Sequence, residues 1–223
     1  MELIVGNIAF STWSLRPWLV LKRCGADLTL TEVPLYGEGW KERLAEVSPS
    51  GKVPLLKVDG ETIWDSLAIS VWAAERYPDA KLWPADPAAR WLSRSVVCEM
   101  HSGFMALRTE CGMGPDARGV IHTMVGEDRA DPPTSDAVAA DVRRLVEIMV
   151  TMRARFGDGG PWLFGEWSMA DAFLTPVACR FRHYRIDLAA HGDADGLAAD
   201  YVAALLRQPD FLEWTERAVT QPG

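Results

Sequence analysis

Leu3-Ile4-Val5 is a short apolar run that reads as a buried strand, and after a polar turn the pattern changes to helical spacing from Leu15 to Cys24. Pro17 is tolerated in the first turn of such a helix and Gly25 supplies a C-terminal stop. Leu28, Leu30 and Val33 lie on one side of a second extended run, and Trp40 to Val47 reads as a short helix. Val53 to Val58, the pair Asp59-Gly60 and Thr62 to Trp64 predict a hairpin with a tight turn. Asp65-Ser66 then opens a helix that runs to Tyr77 and is stopped by Pro78. The order is β-α-β-α-β-β-α, an α/β unit.

The stretch PDAKLWPADPAA, between Tyr77 and Arg90, holds three prolines, breaks the periodicity and marks a linker. Beyond it every pattern is helical. Leu92, Val96, Val97, Met100, Phe104 and Leu107 predict one helix from Ala88 to Thr109, and Val138, Val142, Leu145, Ile148, Met149 and Met152 predict another from Ser135 to Phe156. The Gly- and Pro-rich sequence between them, 111–134, reads as irregular. Further helices are expected at Ser168–Tyr184, Ala194–Arg207 and Asp210–Val219. The plan is an α/β domain over 1–80 followed by an all-α domain over 87–223.

The 223 residues are 48% hydrophobic and 24% charged, which suits one or two globular domains and argues against disorder. A net charge of −8, with the acidic excess shared by both halves, argues against nucleic-acid binding, which needs clustered Lys and Arg. No run of apolar residues is long enough to span a membrane, and MELIVGNIAF does not read as a signal peptide. Cys24, Cys98, Cys111 and Cys179 have no metal-type or C-x-x-C spacing, so the expectation is reduced thiols in the cytoplasm, with no metal site. Ten tryptophans point either to helix packing or to an aromatic-lined pocket.

Three places carry candidate chemistry. Ser11-Thr12-Trp13-Ser14 leads into a helix whose N-terminal N–H groups favour an anion, although any of the hydroxyls can equally be an N-cap. In Ser48-Pro49-Ser50-Gly51-Lys52-Val53-Pro54, a cis Val53–Pro54 bond would turn the Val53 N–H and C=O toward an extended, peptide-like ligand; a trans proline at a strand edge is the alternative. Asp65 suits an amine and Ser66 a carboxylate, and helix capping alone also accounts for both.

Taken together, in this order and spacing, these segments resemble the glutathione transferase superfamily. The resemblance rests on SPSGKVPLLKVDGETIWDSLAISVWAAERYP and on FGEWSMADAFLTP, where Ser168 and Asp171 match the family's buried capping box and Trp167 its hydrophobic staple. It implies a thioredoxin-like N-terminal domain, an all-helical C-terminal domain, glutathione as co-substrate and a homodimer. The loop Ser11-Thr12-Trp13-Ser14-Leu15-Arg16 is most similar to the serine-type zeta class, with Trp13 where that class has a cysteine. Because serines stand where related dithiol proteins carry C-x-x-C, redox chemistry of that kind is excluded here.

Carried onto matching positions, the resemblance makes Ser11 the hydroxyl that stabilises the glutathione thiolate, with Thr12 and Ser14 as the other hydroxyls of the catalytic loop. It assigns Val53 and Pro54 to the cysteinyl backbone, Asp65 and Ser66 to the γ-glutamyl end and Lys52 to the glycyl carboxylate. Trp13, His101, Phe104 and Arg108 are the candidates for the second substrate, a small electrophile held between the domains, and Arg108 or Arg118 would receive an anionic one. Zeta enzymes that isomerise maleylacetoacetate hold a substrate carboxylate with an arginine at the position that is His183 here, flanked by Arg180, Arg182 and Arg185. The expected activity is conjugation of glutathione to the electrophile. The alternatives are a glutathione-dependent cis-trans isomerase and a non-catalytic binding protein on the same fold.

Overall fold

Strand β1 (Glu2–Val5) is followed by α1 (Thr12–Arg23), β2 (Thr29–Glu32), α2 (Trp40–Val47), β3 (Leu55–Val58), β4 (Glu61–Trp64) and α3 (Ser66–Arg76). The order is the one the hydrophobic pattern predicts. The structure is a computed structural model and describes residues 1–125 and 130–220. The sheet order is β2-β1-β3-β4, with β1 parallel to β2 and antiparallel to β3, and β3 antiparallel to β4. Register aligns Leu30, Leu3, Leu56 and Ile63 in one row across the sheet, and period-2 geometry puts all four on the face that receives the core. Asp59 and Gly60 both have positive φ, 50° and 85°, as a type I′ hairpin turn requires.

The helical part comprises α4 (Pro87–Ser102), α5 (Met105–Glu110), a minimal hairpin of β5 (Gly114–Pro115) and β6 (Ile121–His122), then α6 (Asp136–Phe156), α7 (Met169–His183), α8 (Leu197–Arg207) and α9 (Pro209–Thr220). No helix among the described residues is long and apolar enough to cross a membrane. Positions 126–129 of the segment read as irregular lie outside the described residues.

The helix expected from Ala88 to Thr109 is two helices. Phe104 adopts a left-handed conformation (φ 59°) after Gly103, and the chain changes direction there. Periodicity cannot register such a break, because apolar positions resume in phase on either side. The groups that hold it come from elsewhere: the Arg108 guanidinium donates to the exposed carbonyls of Met100 and His101 at the end of α4, and Asp141 of α6 accepts the Leu107 N–H at the start of α5.

Helix α1 joins the two parts. It packs against α3 in the α/β unit and against α7 and α9 of the helical part. Trp18 and Trp214, both fully buried, meet with ring centroids 5.1 Å apart, and the Trp214 indole N–H donates to the Ile8 carbonyl (2.9 Å). Two of the ten tryptophans therefore serve the interface between the parts.

The N-terminus of α7 is fixed by Asp171. Its Oδ2 accepts from the Ser168 N–H (2.7 Å) and hydroxyl (3.0 Å), and its Oδ1 from the Leu163 N–H (3.1 Å) and the Tyr201 hydroxyl (2.8 Å). Trp167, the expected staple, donates its indole N–H to Gln208. Burial raises the Asp171 pKa while the four donors oppose the rise. Replacing Asp171 with Ala strands all four donors, and unfolding in urea should show a loss of roughly 3–5 kcal/mol. Asp171→Asn, which keeps the shape and one carbonyl acceptor, should lose less; equal losses would show that both carboxylate oxygens are needed and that the retained shape contributes nothing.

Candidate functional site

Two cavities open between the α/β unit and the helical part. One, of about 580 Å³, is lined by Trp13, Ser50, Lys52, Val53, Pro54, Trp64, Asp65, Ser66, His101 and Arg108. The other, of about 240 Å³, is lined by Phe10, Ser11, Thr12, Trp13, Arg16, Leu35, Tyr36, Val53, Arg108, Gly112, Met113 and Arg180. They share Trp13, Val53 and Arg108, so they meet at the N-terminus of α1.

In the larger cavity the polar groups are set for an extended ligand. The Val53–Pro54 bond is cis, and among the described residues neither the N–H nor the C=O of Val53 has a hydrogen-bond partner. Asp65 caps α3 through Oδ1, which accepts from the Leu67 N–H (2.8 Å) and Ala68 N–H (3.2 Å), leaving Oδ2 3.3 Å from His101 Nε2. Its backbone has φ 76°, a conformation that costs a non-glycine residue about 1–3 kcal/mol and is found where surrounding structure or function demands it. Ser66 is buried at the cavity wall, and among the described residues its hydroxyl has no partner. Capping therefore explains Asp65 in part and leaves Ser66 unexplained.

Around Ser11 the hydroxyls form a chain. The Gly6 N–H donates to Ser14 Oγ (3.1 Å), and Ser14 Oγ lies 2.7 Å from Ser11 Oγ. Ser14 is fully buried and lines neither cavity, so it supports Ser11 from behind. Among the described residues, Ser11 Oγ is the acceptor that the buried Ser14 hydroxyl reaches, so the Ser14 O–H points to Ser11 Oγ and leaves the Ser11 O–H to face the small cavity. Ser11 holds the N-cap position of α1 without capping it with its side chain. Thr12 lines the same cavity, and its carbonyl accepts from Arg16 (2.8 Å).

The small cavity is cationic. Arg16, wholly buried, bonds the carbonyls of Thr12 and Phe173; Arg180, also buried, bonds those of Cys111 and Pro176; Arg108 bonds the end of α4. Among the described residues none of the three makes an ion pair. Burial pushes the pKa of each down, to about 10 for Arg180, and for Arg16 the neighbouring Arg180 and Arg108 lower it further. The Arg16 and Arg108 guanidiniums lie over the Trp13 ring, 4.5 and 4.7 Å from its centroid.

Trp13, His101 and Arg108 thus fall where the sequence reading puts them, at the cavities. Phe104 does not: at the break between α4 and α5 it packs into the core and lines neither cavity. Arg118 also lies elsewhere, exposed and paired with Asp116. Arg180 is a wall residue that the sequence reading noted only as a neighbour of His183; the signal was four basic residues within six positions at the end of α7. Phe10, Leu35 and Tyr36 were missed because they lie on loops, where no periodicity marks a facing side.

Residues 10–76 match the family described as glutathione S-transferase, N-terminal domain. A maleylacetoacetate isomerase of Pseudomonas aeruginosa is 35% identical over 74% of this chain and 75% of its own length. This chain belongs to the glutathione transferase superfamily. A rat maleylacetoacetate isomerase is 27% identical over 89% of both chains. Among solved structures, a Burkholderia glutathione transferase homologue with bound glutathione superposes with a TM-score of 0.72 at 24% identity, covering 99% of this chain and 98% of that one. A maleyl pyruvate isomerase described as a zeta-class bacterial glutathione S-transferase gives 0.72 at 21%, covering 100% and 99%. These last two establish the transferase fold: a thioredoxin-like domain followed by a helical one.

Within this transferase, burial disfavours the charged form of His101. Burial lowers its pKa, Asp65 opposes the shift, and Arg16 and Arg108 reinforce it. Its Nε2 lies 3.3 Å from Asp65 Oδ2, and among the described residues its buried Nδ1 has no partner. The unfolded chain then binds the His101 proton more readily than the native one, so this residue costs stability as pH falls through its unfolded pKa. A pH titration followed by NMR should place the His101 midpoint below that of an exposed histidine, and a midpoint above it would mean that the Asp65 contact outweighs burial.

Proposed function

We propose that this protein is a serine-type glutathione transferase that joins the glutathione thiolate to a small, carboxylate-bearing electrophile. The observation that carries the reading is the meeting of two unlike cavities beside the free Ser11 hydroxyl. In this reading the larger cavity takes glutathione. Val53 pairs with its cysteinyl backbone, the Ser66 hydroxyl and the Asp65 carboxylate take the γ-glutamyl carboxylate and amine, and Lys52 takes the glycyl carboxylate. That assignment gives the buried, unpartnered Ser66 hydroxyl its missing partner. The sulfur then lies toward the shared residues Trp13, Val53 and Arg108, within the field of the α1 N-terminus and the Ser11 O–H.

Two buried arginines, Arg16 and Arg180, and the half-buried Arg108, none with an ion-pair partner among the described residues, argue for an anionic second substrate. Thiolate attack on an activated double bond forms the S–C bond and moves the π electrons onto the conjugated carbonyl oxygen, an enolate that the guanidiniums stabilise. A proton captured at carbon gives the conjugate. Rotation about the new single bond, followed by expulsion of the thiolate, gives the trans isomer and returns glutathione unchanged. The isomerase reading is favoured by the names of the relatives and by the same arginines. The protein acts in this reading as a homodimer in the reducing cytoplasm, where its four free cysteines stay reduced.

Ser11→Ala should raise the pKa of bound glutathione, read from thiolate absorbance, by about one unit, which is about 1.4 kcal/mol, and lower turnover roughly tenfold with little change in glutathione affinity. An unchanged rate would transfer the thiol contact to Thr12. Arg108→Gln should raise KM for a carboxylated electrophile about tenfold while sparing a neutral one such as chlorodinitrobenzene; equal effects on both would remove the anionic substrate from the reading. Glutathione consumed one-for-one with substrate means conjugation, and glutathione recovered intact means isomerisation.

A further inference from the structure

Residues 111–124 form a strap between α7 and the serine loop. On the α7 side, Arg180 donates to the Cys111 carbonyl (3.1 Å), the Tyr184 hydroxyl to the Gly112 carbonyl (2.7 Å) and Arg182 to the Met124 carbonyl. On the other side, the Met124 N–H donates to the Ala9 carbonyl (2.8 Å) and Gly114 rests on the Phe10 ring, where a Cβ would stand 3.4 Å from the ring. Gly112 and Met113 of the strap, Phe10 beneath it and Arg180 beside it all line the small cavity.

The bonds from Arg180, Arg182 and Tyr184 end on backbone carbonyls, which any residue in the strap would supply. The contact between His122 of β6 and His183 at the end of α7 is different, because it needs both side chains. His122 Nδ1 and His183 Nε2 are 3.0 Å apart, with the rings nearly perpendicular at 87°. Behind His122, Asp116 organises the hairpin turn: its carboxylate accepts the Arg118 and Val120 N–H groups and lies 3.4 Å from His122 Nε2. With Asp116 facing His122 Nε2, the Nδ1–Nε2 contact between His122 and His183 carries one shared proton, whose donor is set by the tautomers of the two rings. Tyr184 packs against both rings.

We propose that His122 and His183 are positioning residues for the second substrate: their contact sets the register of the strap on α7 and so fixes the Gly112–Met113 wall and Arg180 around the small cavity. The proposal rests on the reading that this cavity takes the second substrate. A slipped strap would keep its carbonyl bonds with a neighbouring peptide and still fold, but the cavity wall would change.

The test compares His183→Ala, His122→Ala and the double variant with His183→Gln, whose side-chain amide reaches the place of ring Nε2. Hydrogen exchange of the amides of residues 114–122 reads the strap directly and needs no turnover. Maleate binding by calorimetry and KM for chlorodinitrobenzene read the cavity, and glutathione binding serves as the control. Each Ala variant should speed strap exchange and weaken maleate binding by roughly tenfold, raise KM with kcat and glutathione affinity unchanged, and be no worse when combined; His183→Gln should recover most of both. Strap exchange unchanged in the Ala variants overturns the proposal, as does faster exchange with maleate binding and KM unchanged. Failure of the wild type to bind maleate or to turn over chlorodinitrobenzene counts instead against the second-substrate reading, because strap exchange still reports on the clasp. If His183→Ala does not fold, His122→Ala, at the hairpin end, carries the same comparison.

Discussion

The arrangement turns on a guanidinium that is buried without an ion pair among the described residues. Arg16 sits on α1, bonds the Thr12 carbonyl within its own helix and the Phe173 carbonyl of α7, and lies over Trp13. Removing such a group from water costs several kcal/mol even when carbonyls accept its protons. The fold meets that cost at the seam where the α/β unit meets the helical part. Once Arg16 is fixed there, the N-terminus of α1, the Ser11–Ser14–Gly6 chain and the two cavities are fixed with it.

The partner helix has to be as rigid as α1 for this to work. Helix α7 is buried along nearly its whole length, and its start is held by the four donors on Asp171. Its end supplies Arg180 to the small cavity and Arg182, His183 and Tyr184 to the strap. One helix thus carries structural support at its N-terminus and cavity chemistry at its C-terminus. The α4–α5 break contributes the third cation, since Arg108 reaches both cavities only because the chain turns at Phe104 and lets its guanidinium cap α4.

What could be read beforehand follows the range of the interactions. Strands and helices of the α/β unit were legible because a row such as Leu30, Leu3, Leu56 and Ile63 writes its facing side into the sequence with period two. The Asp171 box was legible because Ser168 and Asp171 are three residues apart. The α4–α5 break was not, because its stabilising groups, Asp141 and the Arg108 side chain, act across turns or from another helix. Ser14 illustrates the same limit on a smaller scale: its type and spacing matched a catalytic hydroxyl, and only burial behind Ser11 separates a supporting role from a facing one. Arg180 escaped selection because a basic residue in the last turn of a helix normally answers the helix dipole at the surface, whereas this one is buried.

Three cations held close together without ion pairs among the described residues leave an electrostatic deficit that Asp65 and Asp141 offset only in part. Their mutual repulsion and desolvation both lower the Arg16 and Arg180 pKa values, which is to say that each guanidinium is less comfortable charged here than in water. Carbonyl bonds and the Trp13 ring keep them in place and supply part of what is missing. In the proposed reading an entering anion supplies the rest, and whatever it gains from them it returns as stability of the seam, since a ligand that binds only the native form stabilises it by mass action. The same desolvation that makes the seam expensive therefore makes it selective: a neutral ligand of equal size leaves the deficit in place, and only negative charge removes it.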